Sequence, residues 1–95
     1  MYQNGLHPKN PTWRGLYLYD STDNLIGYVS VATHDVMLSF NLNGEWTGYY
    51  VRASPALFNC FDLKGTCAGG FLCYDSKSGY NIFNKEAEFT GEHIK

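Results

Sequence analysis

Positive charge is sparse in this sequence and is nowhere clustered. The seven lysine and arginine residues are scattered singly along 95 residues, and the formal net charge is −2. A surface that binds nucleic acid needs clustered cations, because much of the affinity comes from displacing counterions from the phosphates. The sequence therefore predicts that nucleic acid is not a partner.

Long apolar runs are also missing. No segment approaches the roughly 18 consecutive apolar residues of a membrane-spanning helix. The first residues lack the basic start and the apolar run of a signal peptide. Cysteine occurs three times, an odd number that does not suit a disulfide framework. Together these absences predict a cytoplasmic protein without a membrane partner.

Motifs for metal ions, cofactors and catalysis are lacking too. The cysteines are spaced C-x6-C and C-x5-C, wider than the pairs typical of zinc sites. The polar segment 20–24 lacks the spacing of an EF-hand loop. We therefore expect no metal and no cofactor. One enzymatic alternative is a nucleophile at Cys67 with His34 and Asp35 as base and orienting group. No local signature supports it, so we assign no catalytic residue and favour a non-enzymatic protein.

Proline is rare, and its position suggests how the chain is organised. Two of the three prolines, Pro8 and Pro11, lie in residues 1–12, which predicts an irregular N-terminal arm. The rest reads as a β-rich core over residues 13–90 and a polar tail over residues 91–95. A chain of 95 residues accommodates a single domain.

Strand signals dominate the core. Segments 13–20 and 25–33 predict a first hairpin around a polar turn. Val36, Leu38, Phe40 and Leu42 then alternate with other residues, which is typical of a half-buried strand. The dipeptide Asn43-Gly44 follows and predicts a second hairpin with a type I′ turn.

That turn implies a register for the second hairpin. Val36 then lies opposite Val51 and Leu38 opposite Tyr49, with Phe40 opposite Thr47, on a face that we assign to the core. The other face pairs Asn41 with Trp46, Met37 with Tyr50 and Asp35 with Arg52. The opposite charges of the last pair agree with this register.

The segment 54–65 fits two structures. Ser54 as N-cap, Pro55 at the first helical position and Gly65 after the end favour a short helix near residues 55–64. Leu57, Phe61 and Leu63 also alternate as in a strand. Segments 71–75 and 80–84 predict a last hairpin, to which Ala87 and Phe89 add an edge strand.

The fold class follows from these elements. About six to seven short strands with one helix predict a mainly β fold, either an antiparallel meander sheet or a small open barrel. One internal similarity is present, since GLYLYDS at 15–21 resembles GFLCYDS at 70–76. Two copies are fewer than a repeat architecture needs, so we interpret the similarity as the same hairpin chemistry used twice.

Aromatic residues are abundant, with eight tyrosines, six phenylalanines and two tryptophans. Turn parity places several of them on one side of each hairpin. If the two hairpins are neighbours, a surface rich in tyrosine and tryptophan results, of the kind that marks contact surfaces. The alternative is that the arm, the helix or barrel closure covers this face. The predicted binding residues are Trp13, Tyr17, Tyr19, Tyr28, Met37, Trp46 and Tyr50.

The sequence thus favours a non-enzymatic binding protein that acts through this aromatic face. We expect a protein partner, with the chain serving as an inhibitor or adaptor, or self-association as a homo-oligomer. The alternative is a small-molecule binder in which Trp13, Tyr17, Tyr28, Trp46 and Tyr50 line a pocket for an aromatic or cationic ligand.

Overall fold

The computed structural model describes residues 7–77 and 79–95, without the side chains of residues 67–69. Eight strands follow one another as an antiparallel meander, and β8 pairs with β1 to close a barrel. The prediction of a mainly β, antiparallel fold is confirmed, with eight strands in a closed barrel. The strands are β1 Leu16–Tyr19, β2 Leu25–Thr33, β3 Val36–Asn41, β4 Trp46–Ser54, β5 Leu57–Asp62, β6 Cys67–Asp75, β7 Gly79–Phe83 and β8 Phe89–Ile94.

The helix predicted near residues 55–64 is wrong, and no helix occurs in the part of the chain that is described. Ser54 pairs with Leu57, so Pro55 and the next residue form a tight turn. Proline presets the backbone angle that both a helix start and a turn require. An isolated helix of this length is marginal, whereas β5 pairs with strands on both sides.

Both ends of the described chain pack on the barrel or belong to it. Residues 91–94, placed in the polar tail by the sequence, belong to β8, and the Ile94 side chain is fully buried. Residues 7–12 are irregular and pack on the outer surface of the barrel. His7 is buried there, with its ring centroid 5.4 Å from that of Phe40. The predicted arm residues 1–6 lie outside the described residues.

Apolar side chains fill the barrel. Each such side chain contributes about 1.5–3 kcal/mol when fully removed from water. Leu16, Leu18, Cys60, Tyr80 and Ile82 are half-buried around this core. The described residues form no helix long and apolar enough to cross a bilayer. The buried core consists of Val29, Met37, Tyr50, Phe58, Leu72 and Ile94.

The register of the second hairpin is confirmed over three pairs, but the two faces are inverted. Val36 pairs with Val51, Met37 with Tyr50 and Leu38 with Tyr49, as predicted. Met37 and Tyr50 point into the barrel, where they are 2% and 8% exposed. The Val36 and Leu38 pairs therefore lie on the outer surface, not in the core.

The predicted type I′ turn is wrong. The register shifts after Ser39, so Phe40 pairs with Trp46 and not with Thr47. Gly44 has a φ of 82°, but Asn43 has no positive φ, and a type I′ turn needs both. The chain instead forms a three-residue loop with a bulge at the glycine. The predicted Asp35–Arg52 pair is present at this hairpin's other end, with Oδ1 and Nε 3.3 Å apart.

Four hairpin loops of one design lie at the same end of the barrel, which we call the four-loop end. They span residues 20–24, 41–45, 62–66 and 84–88. In each loop the first residue exchanges backbone hydrogen bonds with the fourth and the fifth. Its side-chain Oδ1 also accepts the N–H groups of the third and fifth residues. These first residues are Asp20, Asn41, Asp62 and Asn84.

The loops reveal a repeat of 21 to 22 residues, one hairpin per copy, read from the spacing of the four Asp or Asn residues. The similarity between segments 15–21 and 70–76 does not belong to this repeat. Segment 15–21 contains β1 and leads into the first loop. Segment 70–76 contains most of β6 and leads to the opposite end of the barrel. The two segments therefore have different places in the barrel.

Small residues allow the barrel to close tightly near the four-loop end. Ser39 lies opposite Gly48 on one side and Val29 on the other. A Cβ atom on Gly48 would lie 2.5 Å from the carbonyl oxygen of Phe61. The neighbouring strand can come this close because glycine has no side chain.

Candidate interaction surface

Pairs of aromatic rings surround the outside of the barrel. In every repeat, the aromatic residue before the loop pairs across the sheet with a ring on the neighbouring strand. Three of these pairs are stacked, with ring centroids 5.3–5.4 Å apart. Such pairs stabilise a sheet beyond the area they bury. The four pairs are Tyr19–His93, Phe40–Tyr28, Phe61–Tyr49 and Phe83–Phe71.

Exposed apolar side chains concentrate at the four-loop end. Among the described residues, eight large hydrophobic residues are exposed by 38–55% of their surface. Five of these lie in or directly after the four loops. Two occupy the second position of a loop, and three occupy the first position after one. We call these five residues the apolar rim: Leu25, Leu42, Trp46, Leu63 and Phe89.

The structure divides the predicted binding residues among three places. Trp46 belongs to the apolar rim, and Tyr19 stacks on His93 beside it. Trp13, Tyr17 and Tyr28 form a separate cluster where the arm crosses β1 and β2. Their ring centroids are 5.6–6.1 Å apart.

Trp13 anchors this cluster to the sheet. Its Nε1–H donates a 2.7 Å hydrogen bond to the Ser30 hydroxyl. Tyr17 remains 41% exposed, while Trp13 and Tyr28 are half-buried. These three rings therefore cover one another in part.

Met37 and Tyr50 lie inside the barrel, which removes them from any outer binding surface. Burial raises the pKa of Tyr50 to about 12, against a smaller opposing effect of its hydrogen bond with Ser39. The prediction fails because barrel closure turns inward the face that the predicted register leaves outside the core. Periodicity distinguishes two faces but does not say which one is inside.

The aromatic residues named for a small-molecule pocket do not converge. Tyr50 is in the core, Trp46 is in the rim, and the other three rings touch one another edge to face. An open cleft of about 550 Å³ lies at the opposite end of the barrel, lined by His34, Asp35, Val51, Arg52, Ala53, Ser54 and Pro55. It includes none of the predicted rings.

The alternative catalytic residues are also separated. His34 and Asp35 lie in the turn between β2 and β3, whereas Cys67 begins β6 at the four-loop end. The described residues contain no group of three or more His, Cys, Asp or Glu side chains placed to hold a metal ion.

The four-loop end carries a surplus of negative charge. The four loops contain six of the nine acidic residues of the chain but only two lysines, Lys64 and Lys85. Lys9 of the arm approaches Gly44, and Lys95 Nζ lies 5.3 Å from the centroid of the Tyr19 ring before the first loop, so two further cations lie nearby. The pKa of Asp20 is lowered from 3.8 to about 2, mainly because its carboxylate accepts the backbone N–H of Asn24. The acidic residues are Asp20, Asp23, Glu45, Asp62, Glu86 and Glu88.

Comparison with known proteins gives no further lead. No protein-family model matches the chain, and neither curated proteins nor solved structures contain a match.

Proposed function

We propose that this chain is a non-enzymatic binding protein that contacts another protein through the apolar rim, as an inhibitor or adaptor. The observation that carries the proposal is the recurrence of exposed apolar residues at equivalent positions of the repeat. Scattered exposed hydrophobic residues are normal on protein surfaces, but a group of them at one place suggests a contact site.

The loops that bear the rim are well suited to binding because they are held rigidly. The Asn41 side chain accepts the N–H groups of Asn43 and Glu45, and its amide donates to the Glu45 carboxylate. The equivalent bonds recur around Asn84. A preorganised loop loses little conformational entropy on binding, so more of the contact energy appears as affinity.

Barrel closure supports contact through side chains. Every strand has hydrogen-bonded neighbours on both sides, because β8 pairs with β1. Among the eight described strands, no unpaired edge remains for a partner strand to extend the sheet. A partner therefore has to be recognised by the exposed loops and side chains, and a second copy of this chain would meet the same requirement.

The test replaces the two leucines at the loop tips. The double variant Leu42→Ser/Leu63→Ser removes rim surface at positions that are 50% exposed, so the fold should persist. Val31→Ser is the matched control, since Val31 is 49% exposed at the other end of β2. Light scattering first tests self-association, and affinity capture with each protein as bait then identifies a foreign partner.

The expected result is a selective loss of binding. The affinity for the purified partner, or the affinity of dimerisation, should be at least about tenfold lower in the double variant, because each buried leucine contributes roughly 1.5–3 kcal/mol. Val31→Ser should bind like the unmodified chain. The proposal fails if the double variant keeps full affinity or if Val31→Ser loses as much.

A further inference from the structure

We infer that the four-loop end selects a protein surface in which apolar side chains lie among lysines and arginines. This inference rests on the proposed function and specifies its partner. The charge distribution carries it, since the four loops that bear the rim also contain six of the nine acidic residues of the chain.

Acidic and apolar positions are interleaved along the repeat. Leu63 directly follows Asp62, Trp46 follows Glu45 and Phe89 follows Glu88. An apolar centre within a charged border is the usual anatomy of a protein interface. In such an interface, border charges mainly accelerate association and reject partners of the wrong sign.

The carboxylates at these positions are held in place without losing their charge. Asp62 accepts the backbone N–H groups of Lys64 and Thr66. Glu88 accepts the side-chain amide of Asn84 at 3.1 Å. Because these donors are neutral, each contact orients a carboxylate without neutralising its negative charge.

Ionic partners for these carboxylates are few. Within the described part of the chain, no carboxylate of the four loops forms a salt bridge with a lysine or arginine, and Asp23 Oδ1 lies 3.0 Å from Nε2 of His93. The loop carboxylates therefore keep their charge for cations of a partner. Asp35, at the opposite end, is instead paired with Arg52 within the chain.

The test uses two synthetic peptides of equal length with identical leucines, one carrying lysines and the other glutamates at the remaining positions. Binding is measured by fluorescence anisotropy of the labelled peptides at low and high salt. Glu45→Gln/Glu86→Gln removes two charges while keeping side-chain shape, and the Gln at position 45 can still accept the Asn41 side-chain amide. Leu42→Ser/Leu63→Ser removes rim surface, and Asp35→Asn is the matched charge control.

We expect the lysine peptide to bind at least about tenfold more tightly than the glutamate peptide. Neutralising two loop charges should weaken the lysine peptide roughly threefold to tenfold, because exposed ion pairs contribute modestly, and added salt should weaken it further. The leucine variant should weaken it about tenfold. Asp35→Asn should leave its affinity unchanged.

The possible failures point to different claims. If both peptides bind equally and the leucine variant weakens both, charge selection is overturned while binding through the rim stands. If the lysine peptide binds but the leucine variant does not weaken it, the proposed function is overturned. Failure of the lysine peptide to bind, or an unchanged affinity for it after charge removal, overturns the inference about the partner.

Discussion

Asp20 shows how one side chain organises a hairpin loop. Its Oδ1 accepts the backbone N–H groups of Thr22 and Asn24 and the hydroxyl of Thr22. Because these donors stabilise the ionised carboxylate, the pKa of Asp20 is lowered to about 2. The folded chain consequently binds this proton less readily than the unfolded chain does.

That difference predicts an acid-dependent loss of stability. The contribution of Asp20 is fully present above pH 3.8 and is lost as the pH falls toward about 2. Asp20→Asn should keep the loop, since Asn41 and Asn84 make the same contacts. Urea unfolding at several pH values should show that, between pH 3.8 and 2, the free energy of unfolding decreases less for Asp20→Asn than for the unmodified chain. Equal decreases in both proteins would contradict this account of the loop.

The four loops share a backbone conformation, but their sequences do not fit it equally well. The fourth loop residue adopts a positive φ, with glycine at Gly44 and Gly65 but alanine at Ala87, where φ is 64°. A side chain in the left-handed region costs about 1–2 kcal/mol, whereas glycine adopts it freely. The last loop is therefore strained relative to the two glycine loops.

The strain can be removed by one substitution. Ala87→Gly should raise the free energy of unfolding by about 1 kcal/mol, because the gain in the loop exceeds the entropy cost of glycine in the unfolded chain. Gly65→Ala should lower it by a similar amount, with its Cβ 3.3 Å from the Tyr49 hydroxyl. Urea denaturation measures both changes. A destabilising effect of Ala87→Gly would show that the loop tolerates alanine better than its geometry implies.

At the scale of single strands and loops, strand formation was predictable because it depends on local alternation and turn residues. The strand over residues 57–62 was ambiguous, since Pro55 suits a helix start as well as a turn. The loop design was also readable, because Asp20, Asn41, Asp62 and Asn84 each follow an aromatic residue at a spacing of 21–22. A search for that period would have found the repeat and the end at which its loops gather.

The barrel as a whole is closed by its shortest strand. β1 and β8 share the pairs Leu18–Ile94 and Tyr19–His93, extended by backbone hydrogen bonds between Tyr17 and Lys95 at 2.9 and 3.0 Å. Side chains strengthen this seam, since the His93 ring stacks on Tyr19 and contacts Asp23. Other neighbouring strands share more residue pairs than β1 and β8 do. We therefore expect the seam between β1 and β8 to open first in local unfolding.

Hydrogen exchange can test this order of opening. The backbone N–H groups of Tyr17 and Lys95 should exchange faster than those of the β3–β4 hairpin. His93→Ala should accelerate exchange at the seam about tenfold or more, because it removes both the ring contact with Tyr19 and the contact with Asp23. Phe71→Ala, which removes a stacked ring at the equivalent position of another repeat, is the control and should not act selectively on the seam. Protection of the seam equal to that of the β3–β4 hairpin would contradict the prediction.

The candidate surface was only partly predictable from the sequence. Trp46 was expected to be accessible and is 43% exposed, but Leu42 was expected in the core and Leu63 was expected within or beside the helix. Loop-tip leucines resemble core residues in a linear pattern. Their exposure depends on where the loops lie relative to the arm and to one another.

The sequence by itself determined most of the antiparallel strands and part of the register of the second hairpin, because alternation and turns act between neighbours in the chain. The tertiary structure alone decided which face of the sheet became the core. Both faces carry apolar residues, such as Leu38 on one and Met37 on the other, so alternation cannot choose between them. The pairing of β8 with β1 joins residues far apart in the chain, and it closes the barrel with Met37 and Tyr50 inside.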